Sequence, residues 1–242
     1  SDISRINHLA PGESTIVGYE SMQCLQLAAW LHEETGGAFD ISLGTGFRRL
    51  ECVPGEFLVR ALAEGVRLDL GAIGKGYAVD RAGEVLEDWE VSHALVDAGR
   101  SSVLALEPPP GEAGWVLTLS EPGDGGLTLA RLCASGCALG ASGVRKRDHI
   151  VNPGDGLPVR TRPAAWVSGP RAVLAGIGRE AGVEASAAAV ADALSTAFMI
   201  SPIGEIDAYC RNHAGLEAWV LDGPPASPRL RHLPAAKGAD TG

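Results

Sequence analysis

The five cysteines of this 242-residue chain (Cys24, Cys52, Cys133, Cys137 and Cys210) form no CxxC pair, and their number is odd. That argues against a thiolate zinc site and a complete disulfide framework, and leaves them as small buried hydrophobes. Positive charge is scarce as well: 20 Lys and Arg stand against 30 Asp and Glu, a net charge of −10. So acidic a chain does not suit a nucleic-acid backbone or an anionic membrane surface. No apolar run reaches the roughly 20 residues of a membrane-spanning helix. Neither GxGxxG nor GxxxxGK(S/T) occurs, so the dinucleotide fingerprint and the P-loop do not apply. No internal repeat is visible. The chain starts at Ser1 rather than Met and shows no leader.

What is present is a turn-rich chain, with 32 Gly and 15 Pro, whose apolar segments recur throughout. Helical spacing of Met22, Leu25, Ala28, Ala29 and His32 predicts a helix over 20–35, stopped by Gly36-Gly37. Residues 38–44 read as a short extended piece and Val66–Leu70 as a strand. Helical period returns over Lys75–Trp89, with Ala78, Ala82, Val85, Leu86 and Trp89 on the apolar side. From His93 to Ala141 five short strands are broken by Pro and Gly, which favours antiparallel pairing. A strand near Trp166–Ser168, helices over Ser186–Ile200 and Gly204–His213, and a strand over Leu216–Leu221 complete the domain. The Pro-, Ala- and Gly-rich tail from 223 to 242 is expected to fray. The class is α+β.

Three segments carry chemistry. Leu68–Asp80 runs from a strand through the turn Gly71-Ala72-Ile73-Gly74 into a helix that presents Lys75. Helix N-termini attract anions, so this is either a phosphate contact or simply a tight strand-to-helix turn. Asp192 and Thr196 stand one turn apart on one side of a helix. They are either two hard oxygen ligands for Mg²⁺ or a polar edge. Ser195 points elsewhere and is expected to bond locally. Around His149, a natural proton carrier near neutral pH, Arg145-Lys146-Arg147 form the one dense basic run. That run is either a solvated hairpin tip or an attractor for an anionic substrate.

The order of these segments resembles the ApbE family of FAD:protein FMN transferases. The family's TGGAFD segment matches Thr35–Asp40, and its DLGGIAKGYAVD run matches Asp69–Asp80. Val96–Gly99 lies where NAGGD is usual, His149–Pro153 where HIIDP is usual, and Ala191–Ala197 matches the ADALATA helix. Ser4-Arg5-Ile6-Asn7 is similar to SRLN. The likeness spans residues 1–222, a domain short of the family's N-terminal MGT-type strand.

The resemblance implies an α+β fold related to the T-fold, with antiparallel or mixed sheets packed with helices. It also implies Mg²⁺-dependent transfer of FMN from FAD to a Thr or Ser hydroxyl of a target flavoprotein, releasing AMP. The Ala72 carbonyl, Asp192 and Thr196 would hold the metal, and Asp192 and His149 would be catalytic. Asp40, Gly71, Lys75, Gly99, Ser142 and His149 would bind the flavin nucleotide. Relatives work mostly in the bacterial periplasm or on the outer face of the cytoplasmic membrane. Against the family pattern, Arg100 replaces a glycine, Ala141 a threonine and Asn152 an aspartate. Two alternatives therefore stand beside the transferase: a non-catalytic flavin-nucleotide-binding or interaction module, and a metal-dependent FAD pyrophosphatase.

Overall fold

The computed structural model describes residues 1–122, 126–144, 150–160, 162–223 and 228–235. The chain opens with α1 (Asp2–Ile6), β1 (Ser14–Ile16) and α2 (Tyr19–Glu34), followed by β2 (Leu50–Val53), β3 (Leu58–Ala61) and α3 (Gly74–Asp88). Next come β4 (Leu95–Ala98), β5 (Ser102–Ala105), β6 (Trp115–Ser120), β7 (Thr128–Ala134) and β8 (Cys137–Gly143). After β9 (Ala164–Pro170) and the single turn α4 (Arg171–Leu174) lie α5 (Ala187–Ala197), α6 (Ile203–Asn212), β10 (Glu217–Asp222) and β11 (Arg229–Leu233).

The centre is a six-stranded sheet in the order β11-β10-β9-β8-β5-β4, antiparallel at every pairing. Successive strand residues point to opposite faces, and here both faces are buried. Leu104, Ala138, Ala165, Val167, Ala218 and Val220 join the main core on the helix side. Their neighbours Val103, Leu139, Ala164, Trp166, Trp219 and Leu221 form a second core. Leu119 of β6 and partly buried residues of the β6–β7 hairpin pack into that second core. A small sheet, β1-β3-β2, stands apart.

Helix α5 is the central pillar, because every residue in it except Thr196 is buried. It is built largely from alanine, and its neighbours supply glycine where backbones touch. A Cβ on Gly76 of α3 would fall 2.3 Å from the Ala188 carbonyl oxygen, and one on Gly140 of β8 2.1 Å from that of Ala191. Charges meet both ends of the helix. Asp80 of α3 accepts the Ala188 and Ala189 amides at 3.0 and 2.9 Å. Buried Arg162 donates to the carbonyls of Phe198 and Ser201 past the C-terminus. An anion at the start and a cation at the end both suit the helix dipole.

The structure corrects four expectations. Residues 38–44 form turns rather than an extended piece, because Asp40 accepts the amides of Ser42 and Gly44 and the Ser42 hydroxyl. Val66–Leu70 joins no strand ladder; the Asn7 side chain serves instead, bonding both Leu68 backbone groups at 2.7 and 3.0 Å. Helix α3 turns Gly76, Tyr77, Val79, Asp80 and Gly83 inward, leaving Val85 56% and Trp89 79% exposed. Its inner face is set by close approach at the glycines, not by apolar bulk. Finally, part of the tail is a strand: β11 pairs with β10, and His232 stacks on Trp219 with ring centroids 4.8 Å apart. The sheet thus extends past residue 222.

All five cysteines are free. Burial pushes the Cys24 and Cys210 thiols up to about 12, whereas Cys133 is exposed. Mass spectrometry after brief alkylation at neutral pH should find Cys133 modified first. Cys24 and Cys210 should react only once the protein is unfolded; early labelling of either would contradict this core.

Candidate nucleotide-binding cleft

One cleft of about 920 Å³ lies where the N-terminus of α3, the inner face of α5, the end of β8 and the hairpin β6–β7 converge. Asp40, Gly71, Ala72, Lys75, Gly99, Ser142, Asp192 and Thr196 all line it. His149 and the basic run 145–147 lie outside the described residues, although Ile150, Val151 and Pro153 also line the cleft. Sequence reasoning missed Asp69, Phe39, Trp166 and the hairpin wall of Thr118, Ser120 and Glu121. The hairpin residues carry no local signal, since only the packing of the hairpin onto the sheet brings them here.

Asp192, 1% exposed, is the chemical centre. Its Oδ2 accepts the Gly76 amide at 3.2 Å and lies 3.4 Å from Lys75 Nζ. Helices α3 and α5 therefore clamp one another, each carboxylate taking amides from the first turn of the other: Asp80 on α5, Asp192 on α3. Burial raises the Asp192 pKa, opposed by the Lys75 charge and the Gly76 amide. Burial also raises that of Asp80, opposed by the Ala188 and Ala189 amides. Lys75 Nζ further donates to the Gly71 carbonyl at 2.5 Å. Its ammonium has three donors, so one stays free for a ligand.

The turn itself behaves differently from the anion cradle allowed by its glycines. The Gly71 amide goes to Asp69 Oδ1 at 2.7 Å, those of Ile73 and Gly74 to the Leu70 carbonyl, and that of Gly76 to Asp192. These four amides are consumed inside the protein, and the Lys75 side chain is the cation that this segment brings to the cleft. Asp40 likewise spends both oxygens on its own turn while lining the cleft.

Hydroxyls complete the centre. Ser142 Oγ lies 2.8 Å from Thr196 Oγ1 and 2.9 Å from Ser195 Oγ. Ser195 also donates to the Asp192 carbonyl at 2.8 Å, the local bond expected of it. Among the described residues no three His, Cys, Asp or Glu side chains converge. A cation here would meet one carboxylate and the Thr196 hydroxyl, with Ala72 also lining the cleft. Such a sparse, hard-oxygen set fits Mg²⁺ that takes its remaining ligands from phosphate and water. Among the described residues no helix is long and apolar enough to cross a membrane.

An antiparallel sheet that brings Ser142 to one large cleft, packed by helices that bring a buried carboxylate, a threonine hydroxyl and a lysine to it, defines an α+β protein with a polar site between sheet and helices. The model of the ApbE family matches residues 44–220, and the chain belongs to that family. A Treponema pallidum (strain Nichols) FAD:protein FMN transferase is 25% identical over 211 residues, covering 66% of this chain and 58% of that protein. One from Klebsiella pneumoniae (strain 342) is 33% identical over 105 residues, 39% of this chain and 31% of that protein. The chain thus spans less than two thirds of the length of either curated relative. The crystal structure of an ApbE protein from Thermotoga maritima superposes with a TM-score of 0.78 at 22% identity, covering 96% of this chain and 81% of that one. The flavin transferase ApbE from Vibrio cholerae gives 0.77 at 17% identity, covering 96% and 80%. At these identities the two structures establish the fold.

Proposed function

We propose that this protein transfers FMN from FAD to a Thr or Ser hydroxyl of an acceptor flavoprotein and releases AMP, with Mg²⁺ as cofactor. The observation that carries this reading is the convergence of Lys75, Ala72, Asp192, Thr196 and Ser142 on one cleft of nucleotide size. The two curated relatives, both FAD:protein FMN transferases, support it.

In the reaction the acceptor oxygen forms a bond to the FMN phosphorus as the phosphoanhydride P–O bond breaks. AMP departs with the bridging oxygen, and the hydroxyl proton passes to a base. Lys75 neutralises part of the pyrophosphate charge with its free N–H. Asp192 and Thr196, locked by the α3–α5 clamp and by Ser142, hold the place for the cation. Mg²⁺ held there would supply charge stabilisation for the departing phosphate. His149 is assigned the proton transfer, since imidazole is suited to that role near neutral pH.

The test is incubation with FAD and Mg²⁺, with and without an acceptor peptide bearing Thr or Ser, scoring AMP and covalently bound flavin. AMP in step with flavinylated acceptor is the expected result. AMP formed equally without acceptor would identify a pyrophosphatase. FAD bound but left intact in both cases would identify a binding module.

A further inference from the structure

The turn between β4 and β5 holds Arg100 in a conformation that its side chain disfavours. Gly99 and Arg100 have φ of 66° and 68°, and the Ser101 amide faces the Ala98 carbonyl at 3.5 Å. Two consecutive positive φ values match a type I′ turn, whose central positions favour Gly, Asn or Asp. A larger L side chain there crowds its Cβ against the backbone, which glycine avoids. Such strain persists where the surroundings enforce it, and it concentrates at functional sites.

Four non-glycine residues among those described have positive φ: Leu43, Phe57, Glu90 and Arg100. Arg100 is the cation among them, and it lines the cleft. Its amide is anchored on Asp97 Oδ1 at 2.9 Å, which fixes the turn. Its side chain forms no ion pair or hydrogen bond with any described residue, and the residue is exposed. Arg60, Arg171 and Arg231 each find a carboxylate within 3.2 Å, whereas Arg67, Arg131, Arg179 and Arg229 share the lack of a side-chain ion pair among the described residues but do not line the cleft. Lys75, the second cation lining the cleft, is already engaged with Asp192 and the Gly71 carbonyl.

We propose that Arg100 binds the phosphate oxygens of the nucleotide substrate, a contact that the strained turn presents to the cleft and that supplements Lys75. This rests on the flavin-nucleotide reading above. A guanidinium offers paired donors in a planar fork that matches two phosphate oxygens, which an ammonium does not. The turn thus keeps an unfavourable backbone conformation for the sake of a ligand contact. Stability and affinity should then respond in opposite directions when the side chain is removed.

The experiment compares the wild type with Arg100→Gly and Arg100→Lys, titrating FAD, ADP and riboflavin and recording thermal unfolding of each variant. For Arg100→Gly we expect roughly tenfold weaker FAD and ADP binding, unchanged riboflavin binding, and an equal or higher Tm. Arg100→Lys has the same backbone requirement but keeps a charge, and should recover part of the affinity. FAD affinity equal to wild type in Arg100→Gly would overturn the contact. So would a lowered Tm with riboflavin weakened as much as FAD, which would mark a purely structural residue. A wild-type protein that binds neither FAD nor ADP would instead overturn the nucleotide reading itself, and this contact with it.

Discussion

Asp192→Asn is expected to reduce cation-dependent release of AMP by at least about 10²-fold while leaving the cation-free protein as stable as the wild type, or more so. The two effects separate because the proposed cation ligand is a carboxylate whose ionised form burial disfavours. Burial raises its pKa in the folded protein above the ordinary 3.8, so folding favours the protonated form. The stabilisation linked to that protonated form is complete below the ordinary pKa and is lost as pH rises through the raised one. At neutral pH the ionised group is a net burden, relieved in part by Lys75 and the Gly76 amide. An asparagine oxygen can still accept from Gly76. Asp80 titrates in the same direction, so the decisive quantity is the difference between the two proteins' stability-versus-pH curves. Denaturant unfolding from pH 4 to 8 should show the wild type losing ground relative to Asp192→Asn as pH rises. A variant that unfolds easily and still turns over FAD would refute both halves.

Gly140→Ala is expected to destabilise the protein by about 2–3 kcal/mol and to impair the cleft. The new methyl would lie 2.1 Å from the Ala191 carbonyl oxygen and 2.5 Å from the Asp192 amide nitrogen. Both are backbone atoms, so no side chain can swing aside and α5 as a whole must move. Because Asp192 and Thr196 ride on that helix, the displacement passes directly to the proposed cation site. For a domain of this size the shift in Tm should be about 5–10 °C. Gly76→Ala, 2.3 Å from the Ala188 carbonyl oxygen, should behave alike from the opposite side of the helix. Gly204→Ala is the control, since nothing lies within 4 Å of its added methyl, and it should be neutral or slightly stabilising. Comparable Tm values for Gly140→Ala and Gly204→Ala would show that α5 and β8 are not in backbone contact.

Much of this was legible in the chain because the signals are local. The i, i+4 pairing of Asp192 and Thr196 follows from helical period alone. The strand breaks from His93 to Ala141 are punctuated by Gly and Pro, and the observed strands fall within a few residues of them. Where expectation failed, a distant partner had overridden a local preference. Helix α3 reads as burying Ala78, Ala82, Val85 and Trp89, yet the requirement to touch α5 at Gly76 rotates it the other way. The glycine-rich turn reads as a set of free amides, yet Asp192, 116 residues from Gly76, takes one of them. Strand β11 looks like frayed tail because an exposed edge strand needs few apolar residues once β10 offers a ladder.

Composition and pattern by themselves determined the α+β class and the acidic character, because each depends on residue type and near-neighbour spacing. The resemblance of the ordered motifs supplied the family and eight of the residues that line the cleft. Tertiary structure alone decided the reciprocal clamp of Asp80 and Asp192, the Arg162 cap on α5 and the approach of the hairpin wall to the cleft. It also decided the left-handed turn that carries Arg100. These depend on groups far apart in the chain, or on backbone angles that packing imposes, and no periodicity in the sequence records either.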